Sequence, residues 1–196
     1  MTLLTVWPES DSRTIILATH DPEVISQRLA EVGVEFTRWE ARDLPDTATA
    51  QEVLAAYADE VADFSADKGF VTVDAVAMTR TGSADEWATM VAGARGKFLS
   101  EHTHEDDEVR YFARGAGVFY LRINTRVHAV LCTVGDLISV PKDTRHWFDM
   151  GSEPDFAAIR FFREDDGWVG HFTGDTIAER FPDFDALASS SIAAGG

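Results

Sequence analysis

The apolar positions of the first half of the chain predict an early amphipathic helix. Asp21 can cap its first turn, and Pro22 suits the first helical position. Three apolar residues then fall on one face: Ile25, Leu29 and Val32. Gly33 follows them and is a typical residue at a helix end.

Two more helices are predicted by capping boxes, a hydroxyl residue followed three positions later by glutamate. Thr49 and Glu52 form the first box, and Ser83 and Glu86 form the second. Apolar residues at helical spacing follow the first box: Leu54, Tyr57, Val61 and Phe64. Strands are predicted before and between these helices at residues 14–18, 34–39 and 70–78.

From residue 98 onward the pattern changes to short apolar strands separated by glycine and polar turns. Six strands are predicted, at residues 109–112, 117–123, 127–132, 136–140, 146–150 and 157–162. Such closely spaced strands are typical of a β barrel or sandwich. We therefore predict a mainly β fold.

The predicted organisation is a single domain over residues 1–196. Its N-terminal helices and strands, residues 1–95, would pack on a barrel formed by residues 96–165. A C-terminal segment with mixed signals follows at residues 166–185. Residues 186–196 are mostly small, and we expect them to be a flexible tail.

Composition and charge restrict the class of partner. The 196 residues carry a formal net charge of −17 at pH 7, which argues against nucleic acid and anionic membranes. The single cysteine, Cys132, cannot form an internal disulfide, and the sequence shows neither a signal peptide nor a long apolar run. We expect a cytoplasmic monomer.

Candidate metal ligands are concentrated in a short stretch rich in acidic residues. His102, His104, Glu108 and Arg110 all have even numbers, so along a strand their side chains would share one face. His146 follows a strand and a proline turn and is the candidate fourth ligand. Three imidazoles and a carboxylate suit a divalent transition metal and leave open positions for substrate. The alternative is a solvated acidic loop that happens to contain histidines.

The spacing resembles the two cupin motifs. The first motif is matched by two glycines and three ligand residues: Gly96, His102, His104, Glu108 and Gly115. The second motif is matched in part, by Gly135, Pro141 and His146. Asp143 stands where that motif has glycine, and Met150 stands where it has asparagine. The resemblance implies the cupin double-stranded β-helix, a jelly-roll barrel.

Within the cupins, longer runs resemble the bacterial acireductone dioxygenase family; they lie at residues 101–112, 130–132, 136–141, 146–154, 158–160, 167–168 and 172–178. The resemblance implies an enzyme of methionine salvage that cleaves acireductone, 1,2-dihydroxy-3-keto-5-methylthiopentene, with O2. It implies one Fe(II) or Ni(II) per chain. The iron form would give formate and 4-methylthio-2-oxobutanoate, and the nickel form 3-methylthiopropanoate, formate and carbon monoxide.

The resemblance also implies roles for residues around the metal. Arg110 would stabilise the substrate dianion, whereas the residues alone also allow an ion pair with the neighbouring acids. Four side chains would line the substrate pocket: Phe98, Phe148, Arg160 and Trp168. Arg160 lies in an apolar strand and needs a partner, for which Asp107 is a candidate. Glu101 and Asp107 are candidates for orienting the ligand histidines.

The other histidines lack partners at ligand spacing, and we interpret them as bystanders: His20, His128 and His171. Cys132 is predicted to be a small core residue. Two alternative functions stay open. One is a different cupin dioxygenase or an isomerase with another small substrate, and the other is a non-catalytic cupin that binds a ligand.

Overall fold

The computed structural model describes residues 1–80, 82–163 and 169–193, with side chains described as far as Ser189. The strands are β1 (Leu3–Pro8), β2 (Leu17–Thr19), β3 (Glu35–Arg38), β4 (Thr72–Met78), β5 (His102–Thr103), β6 (Glu108–Ile123), β7 (Arg126–Thr133), β8 (Asp136–Val140), β9 (Arg145–Asp149), β10 (Phe156–Phe162) and β11 (His171–Phe172). The helices are α1 (Pro22–Ala30), α2 (Ala50–Ala56), α3 (Ala58–Lys68), α4 (Ala84–Gly96) and α5 (Phe184–Ala193), with a 3-10 helix at Ile177–Arg180.

Strand β6 belongs to both sheets of the barrel. Its first part pairs with β8 and β10 and its second part with β7 and β9, always antiparallel. The sequence predicted two strands here, and the structure has one, which passes through Gly115 at φ 67°. A Cβ atom at Gly115 would lie 1.9 Å from the backbone oxygen of Asp155, so only glycine fits. The predicted cupin jelly-roll barrel is confirmed.

Apolar side chains fill the barrel and cover both of its outer faces. The interior cluster includes Phe112, Phe119 and Phe148, and α1 closes it with Ile25 and Leu29. A second cluster packs beneath the 3-10 helix and α5, and a third packs beneath α2 and α3. Full burial of one such side chain contributes roughly 1.5 to 3 kcal/mol, so the clusters fix the strands around the interior.

The helix starts follow the sequence closely. The side chain of Asp21 accepts hydrogen bonds from the first turn of α1, and both capping boxes form, at Thr49 and Ser83. The helix predicted after Thr49 is divided into α2 and α3 by Tyr57, whose backbone leaves the helical region. The Tyr57 ring is fully buried, and its hydroxyl accepts the N–H of Arg42 at 2.9 Å, which explains the break.

Two terminal elements differ from the prediction. β1 was not predicted, and it pairs with β7 over six residues; only the end of the strand predicted at residues 14–18 is extended, as part of β2. Residues 186–193, which were expected to belong to the tail, are part of α5, and their flexibility stays a prediction. Leu187 is buried in the second cluster, and the N–H of Phe184 donates to Asp149, which anchors the helix.

Among the described residues, no helix combines the length and the apolar character needed to cross a membrane.

Candidate metal centre

Four polar side chains converge in the barrel interior. His102 lies on β5, Glu108 begins β6, His146 lies on β9, and His104 directly follows β5. His102 and His146 are direct partners across the β5–β9 pair. All four residues are buried, and one possible ligand atom from each lies within 4.8 Å of the others. The structure therefore brings together the four residues that the sequence singled out.

The reason given for this convergence was only partly right. The stretch is not one continuous strand, because residues 104–107 form a loop between β5 and β6. The side chains meet because β9 lies between β5 and β6 and pairs with both strands. Alternation along a strand does not explain their common direction.

The three histidines are held in one tautomer by backbone carbonyls. Each Nδ1–H donates to an oxygen: His102 to Ser100 at 2.7 Å, His104 to Val169 at 2.8 Å and His146 to Thr144 at 2.7 Å. A neutral imidazole that donates through Nδ1 keeps a lone pair on Nε2. The electron-donating nitrogen of each ring is therefore available to the centre of the cluster.

Glu108 supplies an oxygen at the same point. Its Oε2 lies 2.8 Å from Nε2 of His146 and 3.3 Å from Nε2 of His104. With both Nδ1 atoms already donating, three electron-rich atoms face one another at these distances. Such an arrangement requires a cation between the atoms, either a proton or a metal ion.

The titration of the cluster reflects this demand for positive charge. Burial raises the pKa of Glu108, but Arg110 and the two histidines outweigh burial, so the pKa lies well below its usual value. Burial, aided by His146, lowers the pKa of His102 to about 4, which leaves this ring neutral. Burial also opposes protonation of His104, but the contact with Glu108 prevails and raises its pKa.

Arg110 stands next to the cluster on β6. Its Nη2 lies 2.8 Å from Oε1 of Glu108, so the ion pair considered from the sequence is present. Three phenylalanine rings surround the guanidinium; its central carbon is 4.4 Å from the ring centre of Phe148, 5.2 Å from Phe119 and 5.9 Å from Phe98. Cation–π attraction and the ion pair together hold the charge in these buried, apolar surroundings, which we call the chamber.

Two of the three aromatic residues predicted for the pocket line this chamber. Phe98 and Phe148 flank Arg110, and the backbone N–H of Phe148 donates to Phe98 at 2.9 Å. Trp168 lies outside the described residues. Sequence reasoning missed Phe119, whose ring is 4.9 Å from that of Phe148. The signal for Phe119 was the alternation of side-chain direction along the strand after Gly117. That pattern alone does not distinguish a residue of the chamber wall from an ordinary core residue.

Arg160 lies beside the chamber and has an acidic partner, as expected, but this partner is not the residue that was predicted. It is the direct cross-strand partner of Arg110, so both side chains leave the sheet on the same face. Its carboxylate partner is Asp74 on β4, which the sequence did not identify, with Nε and Oδ1 2.7 Å apart. Asp107, the predicted partner, accepts the N–H of Lys142 at 3.0 Å and lies 3.3 Å from Arg163.

The carboxylates predicted to orient the histidines have other contacts. Glu101 is buried and binds Arg122 and Thr173. Asp107 holds the turn that leads to β9 through its bond to Lys142. The Nδ1 atoms of the three candidate ligand histidines donate to backbone oxygens rather than to either carboxylate.

The turn before His146 keeps its shape without the motif's glycine. Asp143 adopts φ 63°, a left-handed conformation that glycine accepts more easily. Its N–H donates to the backbone oxygen of His104 at 2.9 Å, which links the two ligand segments. Met150, in place of the motif's asparagine, is buried in the interior cluster.

The remaining histidines lie outside the cluster, and the cysteine is a core residue, as predicted. Among the described residues, the group that could hold a metal contains none of the three other histidines: His20, His128 and His171. His20 contacts the backbone oxygen of Thr2, and His171 lies 3.6 Å from Glu105 at the surface. Cys132 is a buried member of the interior cluster.

Comparison with known proteins gives one consistent family. The profile described as the ARD/ARD' family matches residues 5–170. An acireductone dioxygenase of Saccharopolyspora erythraea is 55% identical over 190 residues, covering 97% of this chain and 100% of the relative. An acireductone dioxygenase of Frankia alni is 54% identical over 195 residues, covering 99% of this chain and 94% of the relative.

A solved structure agrees with these relatives. An acireductone dioxygenase from Bacillus anthracis, with a cadmium ion in its active center, aligns with a TM-score of 0.70 and 28% identity, covering 88% of this chain and 98% of that one. The fold, the buried donor cluster and these similarities lead to one assignment. The chain belongs to the ARD/ARD' family.

Proposed function

We propose that this protein is a metal-dependent dioxygenase that cleaves acireductone with O2. The observation that carries the proposal is the convergence of His104, His146 and Glu108, whose electron-donating atoms face one another at 2.8 and 3.3 Å. Family membership and the relatives named acireductone dioxygenase supply the reaction.

The donor set fits a divalent transition metal. We assign its ligands to His102, His104, Glu108 and His146, which offer three imidazole nitrogens and one carboxylate oxygen. Thiolate ligands, which are common in closed structural sites, are absent from this set. Fixed Nδ1 hydrogen bonds orient the rings before a metal arrives, so little ordering is needed on binding. The Bacillus anthracis relative has a cadmium ion in its active center, which supports a metal site in this chain.

A divalent ion held here supplies a Lewis acid for the enediol oxygens of the substrate. The charges of the protein groups favour that role. The charges of Glu108 and Arg110 cancel each other, and the histidines are neutral as ligands. The net charge of the chamber with a divalent ion bound would therefore be +2. An enediol that loses two protons is a dianion, and its charge balances the chamber.

Arg110 and the aromatic rings act on the bound substrate. The guanidinium of Arg110 stays charged and lies where it can donate to a substrate oxygen while it holds Glu108. Phe98, Phe119 and Phe148 exclude water around that charge, which strengthens the interaction. The same apolar walls suit the methylthioethyl tail of acireductone, and we assign Arg160 and Trp168 to the pocket as well.

Both Fe(II) and Ni(II) accept imidazole and carboxylate ligands, so metal supply decides which one is bound. We propose that the iron form yields formate and 4-methylthio-2-oxobutanoate. For the nickel form we propose 3-methylthiopropanoate, formate and carbon monoxide. The reaction would serve methionine salvage, and we expect a cytoplasmic monomer.

The test is product analysis after metal replacement. Apo-protein is reloaded separately with Fe(II) and Ni(II), given acireductone, and followed by O2 uptake and by NMR of the products. The expected result is keto acid and formate with iron, and carbon monoxide with nickel. No O2 uptake with either metal would contradict the proposal.

A matched pair of variants tests the ligand assignment. His146→Ala removes a proposed ligand, whereas His128→Ala removes another buried histidine that pairs with the same residue, Leu121, on the barrel wall. We expect His146→Ala to lose bound metal and His128→Ala to keep it. Equal metal content in the two variants would refute the ligand assignment.

A further inference from the structure

A short segment near the C-terminus contacts two of the proposed ligands. The strap, as we name residues 169–173, begins with Val169, whose backbone oxygen accepts the Nδ1–H of His104 at 2.8 Å. Its Phe172 pairs with His102 across β5 and β11, and the two rings are 5.6 Å apart. The orientation of both histidines therefore depends on where the strap lies.

The strap is fastened at its end to Glu101. The backbone N–H of Thr173 donates to the backbone oxygen of Glu101 at 3.0 Å, and the Thr173 hydroxyl donates to the Glu101 carboxylate at 2.8 Å. The Glu101 side chain is only 1% exposed. A carboxylate so deeply buried needs a cation, because an unpaired charge at this depth is costly.

That cation is Arg122 on β6. Its Nη1 lies 3.2 Å from Glu101 Oε2 and 2.8 Å from Asp175 Oδ2, and its Nε lies 2.8 Å from Glu9 Oε2. One guanidinium thus joins three segments that are far apart in sequence: the end of β1, the entry to β5 and the exit from the strap. The carboxylates raise the pKa of Arg122, and Glu9 contributes most.

We propose that Arg122 is a positioning residue that retains the metal by holding the strap against His102 and His104. Arg122 is neither a proposed metal ligand nor a proposed pocket residue, and it acts through Glu101 and Asp175. Loss of its charge would leave Glu101 buried without a counter-ion and would release the strap. The inference rests on the metal site proposed above.

The test measures release of Ni²⁺ from the loaded protein to an excess of chelator. Arg122→Met removes the charge but keeps an apolar stem, and Arg122→Lys keeps the charge but has one nitrogen for three carboxylates. Arg38→Met is the control, because Arg38 also pairs with a buried carboxylate, Asp136, at 3.0 Å. That pair lies at the end of β8 away from Val140, the partner of Glu108.

We expect Arg122→Met to release Ni²⁺ about 10-fold to 100-fold faster than wild type. Arg122→Lys should fall between them, and Arg38→Met should release the ion at the wild-type rate despite lower stability. Hydrogen exchange at the Thr173 amide should accelerate in Arg122→Met alone, because this N–H is bonded to Glu101. An unchanged release rate in Arg122→Met, or equal acceleration in Arg38→Met, would overturn the proposal.

Two further measurements keep the outcomes separate. If Arg122→Met does not fold, Asp175→Asn serves instead, because it removes one of the three carboxylates that Arg122 binds. We expect it to accelerate Ni²⁺ release. A wild-type release rate in Asp175→Asn would count against the role of Arg122. Wild-type protein that binds no Ni²⁺ would refute the proposed function itself. Wild-type retention with unaltered release in the variants would refute only the positioning role.

Discussion

Replacing Arg110 by methionine separates the two roles open to this side chain. One role is to neutralise Glu108, whose Oε1 lies 2.8 Å from the guanidinium. The other is to stabilise the substrate dianion. Methionine keeps an apolar stem and removes the guanidinium with its charge, so the two roles have different consequences for stability and for turnover.

The stability effect follows from burial. Both members of the Arg110–Glu108 pair are buried, and removal of one partner from such a pair costs about 3 to 5 kcal/mol. We expect that loss for apo-protein. In the Ni²⁺ form the loss should be smaller, because a divalent ion at the cluster supplies the positive charge that Glu108 needs.

The turnover effect depends on the second role. If Arg110 also faces the substrate, Arg110→Met should bind Ni²⁺ but lose about 100-fold to 1,000-fold in kcat, as expected when one charge-stabilising donor is removed. Urea unfolding with and without Ni²⁺ measures the first effect, and initial O2 uptake at saturating metal measures the second. Arg110→Lys is the control that retains charge without the planar fork. Wild-type kcat in Arg110→Met would refute the dianion role and leave the ion pair as the whole function.

Three further changes test other parts of the structure. Glu108→Ala should abolish both metal binding and turnover, and an active variant free of metal would contradict the ligand set. Asp149 has a lowered pKa because Arg95 and backbone N–H groups outweigh burial, so it contributes stability above the ordinary pKa of 3.8 and loses it as pH falls further. Asp149→Asn should therefore be less stable than wild type at neutral pH in urea unfolding, and this difference should shrink in acid; a difference independent of pH would be evidence against the ion pair. Asp143→Gly should stay within about 1 kcal/mol of wild type, whereas Asp143→Val should lose about 1 to 2 kcal/mol because a branched side chain resists φ 63°, and equal melting temperatures would show that the turn is not strained.

The parts of the fold that the sequence predicted are those that local chemistry specifies. Asp21, Thr49 and Ser83 cap helices through contacts within three residues, and these contacts form as expected. The break at Tyr57 could not be predicted, because the ring is drawn into a core made by distant strands. β1 was missed for a similar reason, since its pairing with β7 joins residues more than a hundred positions apart.

In the candidate metal centre, too, the features set by residues close in sequence were predicted, and those set by residues distant in sequence were not. Three of its four donors lie within seven residues, and spacing alone identified them; His146 needed only the motif in β8 and its turn. The groups that orient the rings are backbone oxygens, which carry no side-chain signature, and one of them belongs to Val169, 65 residues beyond His104. The strap and the Arg122 network are likewise built from contacts across 21 to 113 positions. A sequence motif can therefore identify the candidate donor atoms, whereas the contacts that hold those atoms in place are long-range and become visible only in the folded chain.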